Sequence, residues 1–192
     1  MIERKDEFIE ILKSRLKTAR FEHSLNVADA ARSLAEIYGA DTEKAYICGL
    51  LHDIEKNAPM EEQKQMMETL SETLPDVVLQ NPKLWHAPAG AAYIKNVLGI
   101  VDEDMISAIK YHTTAKADMT ILEKIVYTAD FISSERNYEG VEQIRALAYE
   151  DIDKAVLEGS RFTLIELLKN GREINQDTID AYNEMARKFK DN

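Results

Sequence analysis

The sequence predicts an all-α protein, and three observations lead to that prediction. Apolar residues recur at helical spacing over most of the 192 residues. No segment shows the alternation of apolar and polar residues that marks a half-buried strand. Glycine and proline fall between the periodic segments, at positions such as Gly39, Pro59 and Gly99, where helices are expected to end. We therefore expect a bundle of helices without a sheet.

The helices are expected in a definite order along the chain. An N-terminal helix at about 8–16 faces the core, and a second runs from Thr18 to a stop at Gly39. The third begins after Asp41 or Thr42, either of which can cap it. A helix is expected at about 60–70, and a loop follows at 75–82. Further helices are expected from 86 onwards, at 102–110 and at 121–132. The rest of the chain, to about 190, is expected to be helical with breaks near Gly140, Gly159 and Gly171.

The composition favours one domain and limits its partners. A chain of 192 residues with 45% hydrophobic content suffices for one sizeable core. No stretch approaches the roughly 18 apolar residues of a membrane span, and the charged start lacks a secretory apolar region. The single cysteine, Cys48, cannot form an intrachain disulfide, so a cytoplasmic location is expected. The net charge of −11 argues against binding of nucleic acid, which requires a basic surface.

One stretch, from Ile47 to Lys56, is chemically unusual. It is expected to be a buried helix whose apolar run ends in His52 and Asp53, two common types of metal ligand. Adjacent helical positions diverge by about 100°, so the two side chains can hold one ion from two directions and leave one Asp53 oxygen free. Gly49, one turn earlier, leaves room for a neighbouring group. The simpler explanation of the pair alone is a helix end with an N–H to carboxylate contact.

Other candidate ligands are spread along the chain. All four histidines lie at or near predicted helices, beside small or apolar residues. Asp130 lies within an apolar run, where a carboxylate is costly to bury unless it is paired or binds a metal. A lone histidine on an apolar face is usually a core residue, but six such groups suit iron, manganese or zinc. They are His23, His52, Asp53, His86, His112 and Asp130.

The order of these residues resembles a known family. His23, the His52-Asp53 pair and Asp130 match the pattern of the HD-domain metal-dependent phosphohydrolases. More narrowly, several segments are similar to those of YqeK-type proteins: Arg20–Ser24, Leu51–Lys56, Trp85–Gly90, Tyr111–Thr114, Thr128–Ile132, Glu135-Arg136 and Gly140–Arg145. The resemblance covers about residues 20–182. It implies one HD-domain helical bundle over residues 1–192, with a metal-ligand core at about 18–135 and helices at about 140–190 that complete the pocket.

The resemblance also implies an activity, namely symmetrical cleavage of diadenosine tetraphosphate to two ADP by a metal-bound hydroxide. It implies a primary ion held by His23, His52, Asp53 and Asp130. Iron is expected, and manganese, zinc or nickel are alternatives. His86 and His112 either complete a second metal site that shares Asp53, or bind and protonate the polyphosphate. The implied catalytic residues are Asp53, His86, His112 and Lys56.

An anionic substrate must be met by local cations in so acidic a chain. Arg20, Lys56 and Arg136 are the candidates, and each would otherwise be an ordinary surface charge. The substrate contacts that the resemblance implies are Arg20, Asp53, Ile54, Glu55, Lys56, His86, His112, Thr113, Asp130, Arg136, Ile174 and Asn175. The sequence departs from the family pattern at Glu55, where a small residue is common, and after Ile174, where a His-Pro pair is missing.

Other functions stay open from the sequence alone. Another HD phosphohydrolase, acting on dNTPs or nucleoside monophosphates, would use the same ligands with a different pocket. A non-catalytic HD signalling module agrees less well with an intact ligand set. A metal-storage bundle would need paired Glu-x-x-His motifs, which the sequence lacks. A homodimer also stays open, since Tyr149, Phe162 and Tyr182 can belong either to its face or to the core.

Overall fold

The computed structural model describes residues 4–190, and helices alone form its regular structure. Over that range there are eleven helices and no strand, which confirms the all-α prediction. The predicted domain also includes residues 1–3 and 191–192, which lie outside the described residues. The helices are α1 (Lys5–Arg15), α2 (Thr18–Tyr38), α3 (Thr42–Leu51), α4 (Met60–Glu68), α5 (Asp76–Leu79), α6 (His86–Asn96), α7 (Glu103–Tyr111), α8 (Ile121–Ile132), α9 (Val141–Glu150), α10 (Ile152–Lys169) and α11 (Gln176–Lys188).

Capping residues in the sequence explain several helix boundaries. The carboxylates of Asp41 and Asp102 accept hydrogen bonds from backbone N–H groups at the starts of α3 and α7. Thr120 and Glu123 form a capping box at the start of α8. Gly39 ends α2 in the left-handed conformation, with a φ of 66°. These four helices carry or directly precede every candidate metal ligand except His86.

The main core is organised around α2, α3 and α8. α2 and α3 are so close that a Cβ atom on Gly49 would lie 2.8 Å from the Cα atom of Ala28. The room beside Gly49 that the sequence indicated is therefore filled by the backbone of α2. The fully buried Leu34, Ile47 and Ile125 join the three helices in one apolar cluster that extends from α1 to α10. This close packing brings the second turn of α2 beside the end of α3.

The C-terminal helices form a second apolar cluster against α8. Its buried members are contributed by α8, α10, α11 and the loop before α8: Ala115, Met119, Tyr127, Val156, Leu157, Ala181 and Met185. The hydroxyl of Thr178 in α11 also donates a hydrogen bond to the carbonyl of Thr114, at 2.8 Å. The C-terminal helices are thereby fixed to the loop that follows His112. Within the described residues, no helix is long and apolar enough to cross a membrane.

The predicted continuation of α3 is wrong. The helix ends at Leu51, His52 is its C-cap, and residues 53–57 form turns. His52 and Asp53 are therefore placed by a helix end and the turn after it. A short helix, α5, also occupies part of the segment that was predicted as a loop.

The predicted break near Gly159 is also wrong, because α10 runs through this position without interruption. A Cβ atom on Gly159 would lie 3.2 Å from the Tyr127 ring and 3.4 Å from the Phe131 ring. The absence of a side chain at Gly159 thus lets α10 pack closely against two aromatic side chains of α8. The break before α10 lies at Asp151, whose carboxylate caps the helix.

Candidate metal centre

The predicted metal ligands come from five different parts of the chain and converge on one buried point. The ring centroids of neighbouring histidines are 4.9 to 5.2 Å apart. All four imidazole-bearing residues are at most 5% exposed. The ligands lie in the second turn of α2, at and after the end of α3, at the start of α6, at the end of α7 and near the end of α8. They are His23, His52, Asp53, His86, His112 and Asp130.

Two of the histidines are oriented by the ends of their own helices. His52 Nδ1 donates to the carbonyl of Gly49 at 2.6 Å, and His112 Nδ1 donates to the carbonyl of Ile109 at 2.7 Å. The last carbonyls of a helix lack partners within the helix, so each histidine uses one of them. Donation from Nδ1 leaves Nε2 with the lone pair. The two Nε2 atoms lie 3.4 and 3.5 Å from the Asp53 carboxylate.

His23 is oriented by a carboxylate. Its Nδ1 donates to Glu135, in the segment after α8, and the same carboxylate accepts hydrogen bonds from Asn26 at 2.7 Å and Ser133 at 2.8 Å. Burial alone would raise the pKa of Glu135. The hydrogen bonds that it accepts lower this pKa, and the bond from His23 has the largest lowering effect. His23 Nε2 is left free and lies 3.1 Å from Asp130 Oδ1. A carboxylate behind a ligand histidine is common at metal sites.

Asp53 lies at the centre of the cluster and is 2% exposed. Its Oδ1 atom lies 3.3 Å from His86 Nε2 and 3.5 Å from His112 Nε2. Its Oδ2 atom lies 2.7 Å from Arg20 Nη1 and 3.4 Å from His52 Nε2. Burial opposes ionisation, but the His52 and His112 imidazoles hold the pKa of Asp53 well below its ordinary value. The carboxylate thus offers two oxygens to two different sets of neighbours.

Asp130 has a cationic partner as well as a histidine. Arg136 donates from Nη2 to the Asp130 carboxylate and from Nε to the Asp130 backbone carbonyl, at 2.9 Å for the second bond. Burial would raise the pKa of Asp130, but the adjacent His23 imidazole and the charge of Arg136 hold that pKa far below its ordinary value. The residue is therefore an ionised carboxylate at the edge of the cluster.

His86 has partners of a different kind. Lys56 Nζ lies 2.9 Å from His86 Nε2 and 3.7 Å from Asp53 Oδ1. The Thr113 hydroxyl lies 3.2 Å from His86 Nε2 and 3.1 Å from His112 Nε2. Burial lowers the pKa of His86 well below its ordinary value, so the neutral imidazole accepts the hydrogen bond of the Lys56 ammonium. These groups form a polar wall on one side of Asp53.

Buried polar atoms without partners show where a cation fits. Within residues 4–190, His23 Nε2, His52 Nε2 and Asp53 Oδ1 are buried and have no hydrogen-bond partner, a costly arrangement unless a ligand binds them. Imidazole and carboxylate donors of this kind suit a divalent transition metal. Two groups of three residues have ligand atoms within 4.8 Å of one another. One consists of His23, His52 and Asp130, and the other of His52, Asp53 and His112. His86 belongs to neither group.

Two predicted substrate-binding side chains face away from this centre. Ile54 is fully buried in the main apolar cluster. Glu55 is also fully buried and pairs with Arg15 of α1, which binds Glu62 as well. Burial raises the pKa of Glu55 to about 7, against the opposing charge of Arg15. Any substrate contact of Ile54 and Glu55 must therefore come from backbone atoms, and the Arg15 pair ties α1 to the turn after α3.

Three cavities adjoin the centre. The first, of about 160 Å³, lies between Thr113 and the start of α11. The second, of about 320 Å³, is lined by His112, Arg136 and the aromatic rings of Phe131 and Phe162. The third, of about 480 Å³, opens on the side of α2. A substrate larger than the metal centre can therefore extend from it in more than one direction.

The predicted contacts at Ile174 and Asn175 lie apart from the metal ligands. Asn175 is the N-cap of α11, is 4% exposed and lines the first cavity together with Thr113. Ile174 is half-buried and lines none of the three cavities. Of this pair, only Asn175 is placed beside a space that a substrate can enter.

A family model matches the part of the chain that contains the whole ligand set. The model, described as HD domain, matches residues 20–135. The chain belongs to the HD-domain family. The resemblance to HD-domain proteins that the sequence motifs indicated is thereby confirmed.

Relatives of this HD-domain chain match nearly its whole length. The symmetrical bis(5'-nucleosyl)-tetraphosphatase of Bacillus subtilis strain 168 is 38% identical over 180 residues, which cover 93% of this chain and 96% of the relative. The protein of the same description from Halalkalibacterium halodurans is 36% identical, with 95% of this chain and 97% of the relative covered. These matches confirm the narrower resemblance to YqeK-type proteins.

A solved HD-domain structure has the same fold. This crystal structure, of a Clostridium acetobutylicum protein described as a predicted HD superfamily hydrolase involved in NAD metabolism, has a TM-score of 0.91 and 39% sequence identity to this chain. The match covers 95% of this chain and 97% of the other. The predicted HD-domain helical bundle is thus confirmed as the fold.

Sequence reasoning missed two charged residues that support the site. Glu135 was noticed only as part of a family segment, although it orients His23. Arg15 was passed over as part of a packing helix, although it neutralises the buried Glu55. The position of Glu135, a carboxylate a few residues after the helix that carries Asp130, could have indicated its role. No local pattern indicated the role of Arg15, because its partner Glu55 lies 40 positions away in the sequence.

Proposed function

We propose that this chain is a metal-dependent hydrolase that cleaves diadenosine tetraphosphate, and related dinucleoside polyphosphates, symmetrically to two nucleoside diphosphates. The observation that carries the proposal is the convergence of buried, unpartnered donor atoms from His23, His52 and Asp53, with Asp130 beside them. The relatives that match almost the whole chain are symmetrical bis(5'-nucleosyl)-tetraphosphatases. The reaction consumes one water, whose oxygen joins one ADP, while the oxygen that bridged the two central phosphates leaves with the other.

His23, His52, Asp53 and Asp130 would hold the primary metal ion. A bound divalent metal lowers the pKa of a water ligand and stabilises negative charge on phosphate oxygens. The carbonyl of Gly49 and the carboxylate of Glu135 fix His52 and His23 so that both Nε2 lone pairs face the same point. Iron is the metal we propose, with manganese, zinc or nickel as alternatives, because mixed imidazole and carboxylate ligands suit all of them.

We assign His86 and His112 to the substrate. Their Nε2 atoms already have polar partners, Lys56 and Thr113, that a phosphate oxygen can replace or share. We propose that Lys56, whose ammonium lies 3.7 Å from Asp53 Oδ1, donates a hydrogen bond to the departing ADP. The alternative is a second ion, and the shared ligand group of His52, Asp53 and His112 supports it.

Three cations would attract the polyphosphate to an otherwise acidic protein. Arg20 and Arg136 pair with the carboxylates of Asp53 and Asp130, and Lys56 lies 3.7 Å from Asp53. Charge-assisted hydrogen bonds to phosphate are among the strongest that a side chain forms. The aromatic cavity between Phe131 and Phe162 gives an adjoining surface on which a purine base can pack. Together these features support a nucleotide polyphosphate as substrate.

The domain, location and assembly of the protein are further proposals. We propose that residues 1–192 act as one HD domain in the cytoplasm, and the apolar cluster that extends from α1 to α10 supports the first part. A homodimer stays a prediction. Phe162 lines the aromatic cavity and Tyr182 packs on the second apolar cluster, whereas Tyr149 is 49% exposed. Tyr149 is therefore the surface candidate, and sedimentation of wild-type protein beside Tyr149→Glu tests it.

The test begins with protein purified without oxygen and a measurement of its bound metal. The protein is then incubated with diadenosine tetraphosphate, with dNTPs and with nucleoside monophosphates, and the products are separated by chromatography. We expect two ADP per substrate, and no turnover after chelation until metal is restored. ATP plus AMP would overturn symmetrical cleavage. Turnover of a dNTP or monophosphate alone would favour another HD phosphohydrolase, and bound metal without any turnover would favour a signalling module.

A further inference from the structure

The cavity of about 480 Å³ on the side of α2, called here the α2 cavity, leads from the metal centre to the surface. Lys17, Arg20 and Asn57 form one wall, and Arg136 and Tyr138 belong to the other. His23 also lines the cavity and is only 5% exposed, so it marks the inner end. A molecule in the α2 cavity would therefore touch the candidate metal ligands directly.

The charge of the α2 cavity is opposite to that of the chain, whose net charge is −11. Three cations line it, and Glu135 is the one acid among the described lining residues. Glu135 is already engaged by His23. Arg20 and Arg136 already have the Asp53 and Asp130 carboxylates as partners, whereas Lys17 forms no ion pair with an acidic side chain within residues 4–190. Lys17 is thus the one cation among the described lining residues that no acidic side chain neutralises, and it is exposed.

The start of α2 adds to this positive charge. α2 begins at Thr18, no side chain caps it, and its first turn contains no acidic residue. The first N–H groups of a helix lack partners within the helix and carry partial positive charge, which favours bound phosphate. The α2 cavity also adjoins the metal site, because His23, whose buried Nε2 atom has no hydrogen-bond partner, belongs to its lining.

A symmetrical cut requires that the substrate extend from the metal centre in two directions. Each half of diadenosine tetraphosphate is one ADP unit, and the bond between the halves must lie at the reacting point. The aromatic cavity beside His112 and Phe131 provides one direction. The α2 cavity provides the other, and Arg136 and Tyr138 line both cavities, so they mark where the two directions meet.

We propose that the α2 cavity binds one of the two ADP units of the substrate, with Lys17, Arg20 and the first turn of α2 contacting its phosphates. This inference rests on the proposed function. Lys17 is then a substrate-binding residue that serves one half of the molecule only. Its backbone N–H donates to Asn57 Oδ1 at 2.9 Å, which fixes the two residues of this wall to each other.

The proposal is tested by isothermal titration calorimetry, which measures how many ADP molecules bind to each metal-loaded chain. The wild type is expected to bind two ADP per chain, and Lys17→Glu is expected to bind one. With diadenosine tetraphosphate as substrate, Lys17→Glu should raise KM at least about tenfold, because a charge-assisted phosphate contact becomes a repulsion, and leave kcat nearly unchanged. Lys13→Glu is the matched control, because Lys13 is an exposed lysine of α1 outside the cavity lining.

A second variant keeps the test independent of Lys17. Asn137→Asp places a carboxylate on the opposite, exposed wall and should weaken the same ADP site. Wild-type protein that binds a single ADP, or a Lys17→Glu variant that keeps both sites or loses both, would overturn the inference. Two ADP sites in a wild type that does not cleave diadenosine tetraphosphate would instead overturn the proposed function and leave the α2 cavity as a nucleotide site.

Discussion

The helices that carry the metal centre and the helices that close the substrate side are built in different ways. In α2 and α3, small residues such as Ala28 and Gly49 let two helix backbones touch, and no adjustable side chain lies between them. In α10 and α11, a separate apolar cluster supplies the packing. Large apolar side chains of α10 even stay exposed there, 43% at Ile165 and 66% at Leu168.

The difference teaches which positions can change independently of the chemistry. Ligand positions in the first region depend on backbone contacts and on buried hydrogen bonds, neither of which can adjust by rotation of a side chain. Cavity walls in the second region depend on side chains that can be exchanged one at a time. Substitutions in the first region should therefore change metal binding, together with stability where they alter packing, and those in the second should leave metal binding unchanged.

Asp53→Ala should have the largest effect, because Asp53 is the carboxylate that all four histidines surround. We expect loss of both retained metal and turnover, measured by elemental analysis and by ADP release. The far-ultraviolet circular dichroism of the variant serves as the folding control. Full activity in folded Asp53→Ala protein would contradict the site assignment.

Gly49→Ala should break the first region through its packing. The added Cβ would meet backbone atoms of Ala28 and Val27 at 2.8 to 3.0 Å, and such overpacking costs about 1–3 kcal/mol. We expect a lower free energy of unfolding in urea together with weaker metal retention. Gly90→Ala is the control, because its nearest neighbour is the Ile109 side chain at 3.4 Å. Equal loss of stability in both variants would refute the packing argument.

Glu135→Gln should weaken metal binding without unfolding the protein. The substitution keeps the shape of the side chain but removes the charge behind His23, and loss of such a partner lowers metal affinity by about 10–100-fold. Competition with a chelator measures the change. Glu139→Gln, in the same loop, is the control, since Glu139 is exposed and lies outside the α2 cavity lining. Unchanged affinity in Glu135→Gln would mean that His23 needs no carboxylate partner.

Arg136→Ala should separate substrate binding from metal binding. Arg136 lines both cavities and is half-exposed, so we expect KM to rise by about tenfold with metal content retained. Steady-state kinetics and metal analysis on the same preparation distinguish the two effects. Arg161→Ala, on the exposed face of α10, is the control. Loss of metal in Arg136→Ala would show that the arginine acts through Asp130.

Asn175→Ala should have the smallest effect and belongs to the second region. Asn175 Oδ1 accepts a hydrogen bond from the Asp177 N–H at 3.0 Å and so caps α11. Loss of an N-cap costs about 1 kcal/mol, or about 2–4 °C in Tm for a protein of this size. Metal retention should not change, and Gln176→Ala at the exposed neighbouring position is the control. A loss of metal would connect the two regions more tightly than their packing indicates.

Residue type and local pattern were sufficient to predict most of the helices and all the candidate ligands. Histidines are rare in this chain, and each lies in or near a predicted helix close to small or apolar residues, so His23 and His112 stood out from a single sequence. The end of α8 was predicted at Ile132, where it occurs, because its apolar stripe is continuous from Ile121. The HD pattern added the order of the ligands, which no single motif contains.

What the sequence could not give depends on contacts between distant residues. Glu135 meets His23 across 112 positions, and no periodicity encodes that pairing. Gly159 was misjudged for the same reason, since a glycine that breaks a helix and one that admits a neighbouring ring look alike until the ring of Tyr127 is placed. The end of α3 was not predicted, because what ends it is a contact that the sequence pattern does not show. His52 keeps helical backbone angles, and its ring donates a hydrogen bond to the carbonyl of Gly49.

The ends of α3 and α7 have one more consequence, for the order in which partners bind. Both helices point their C-termini at the metal centre through His52 and His112, and each such end carries roughly half an elementary negative charge. Without a metal ion, the phosphates of a nucleotide that Arg20, Lys56 and Arg136 attract would still meet this field and the carboxylates of Asp53 and Asp130 at the centre. A cation that arrives first reverses the sign of the field. We therefore expect the metal ion to bind before the reacting phosphates reach the centre.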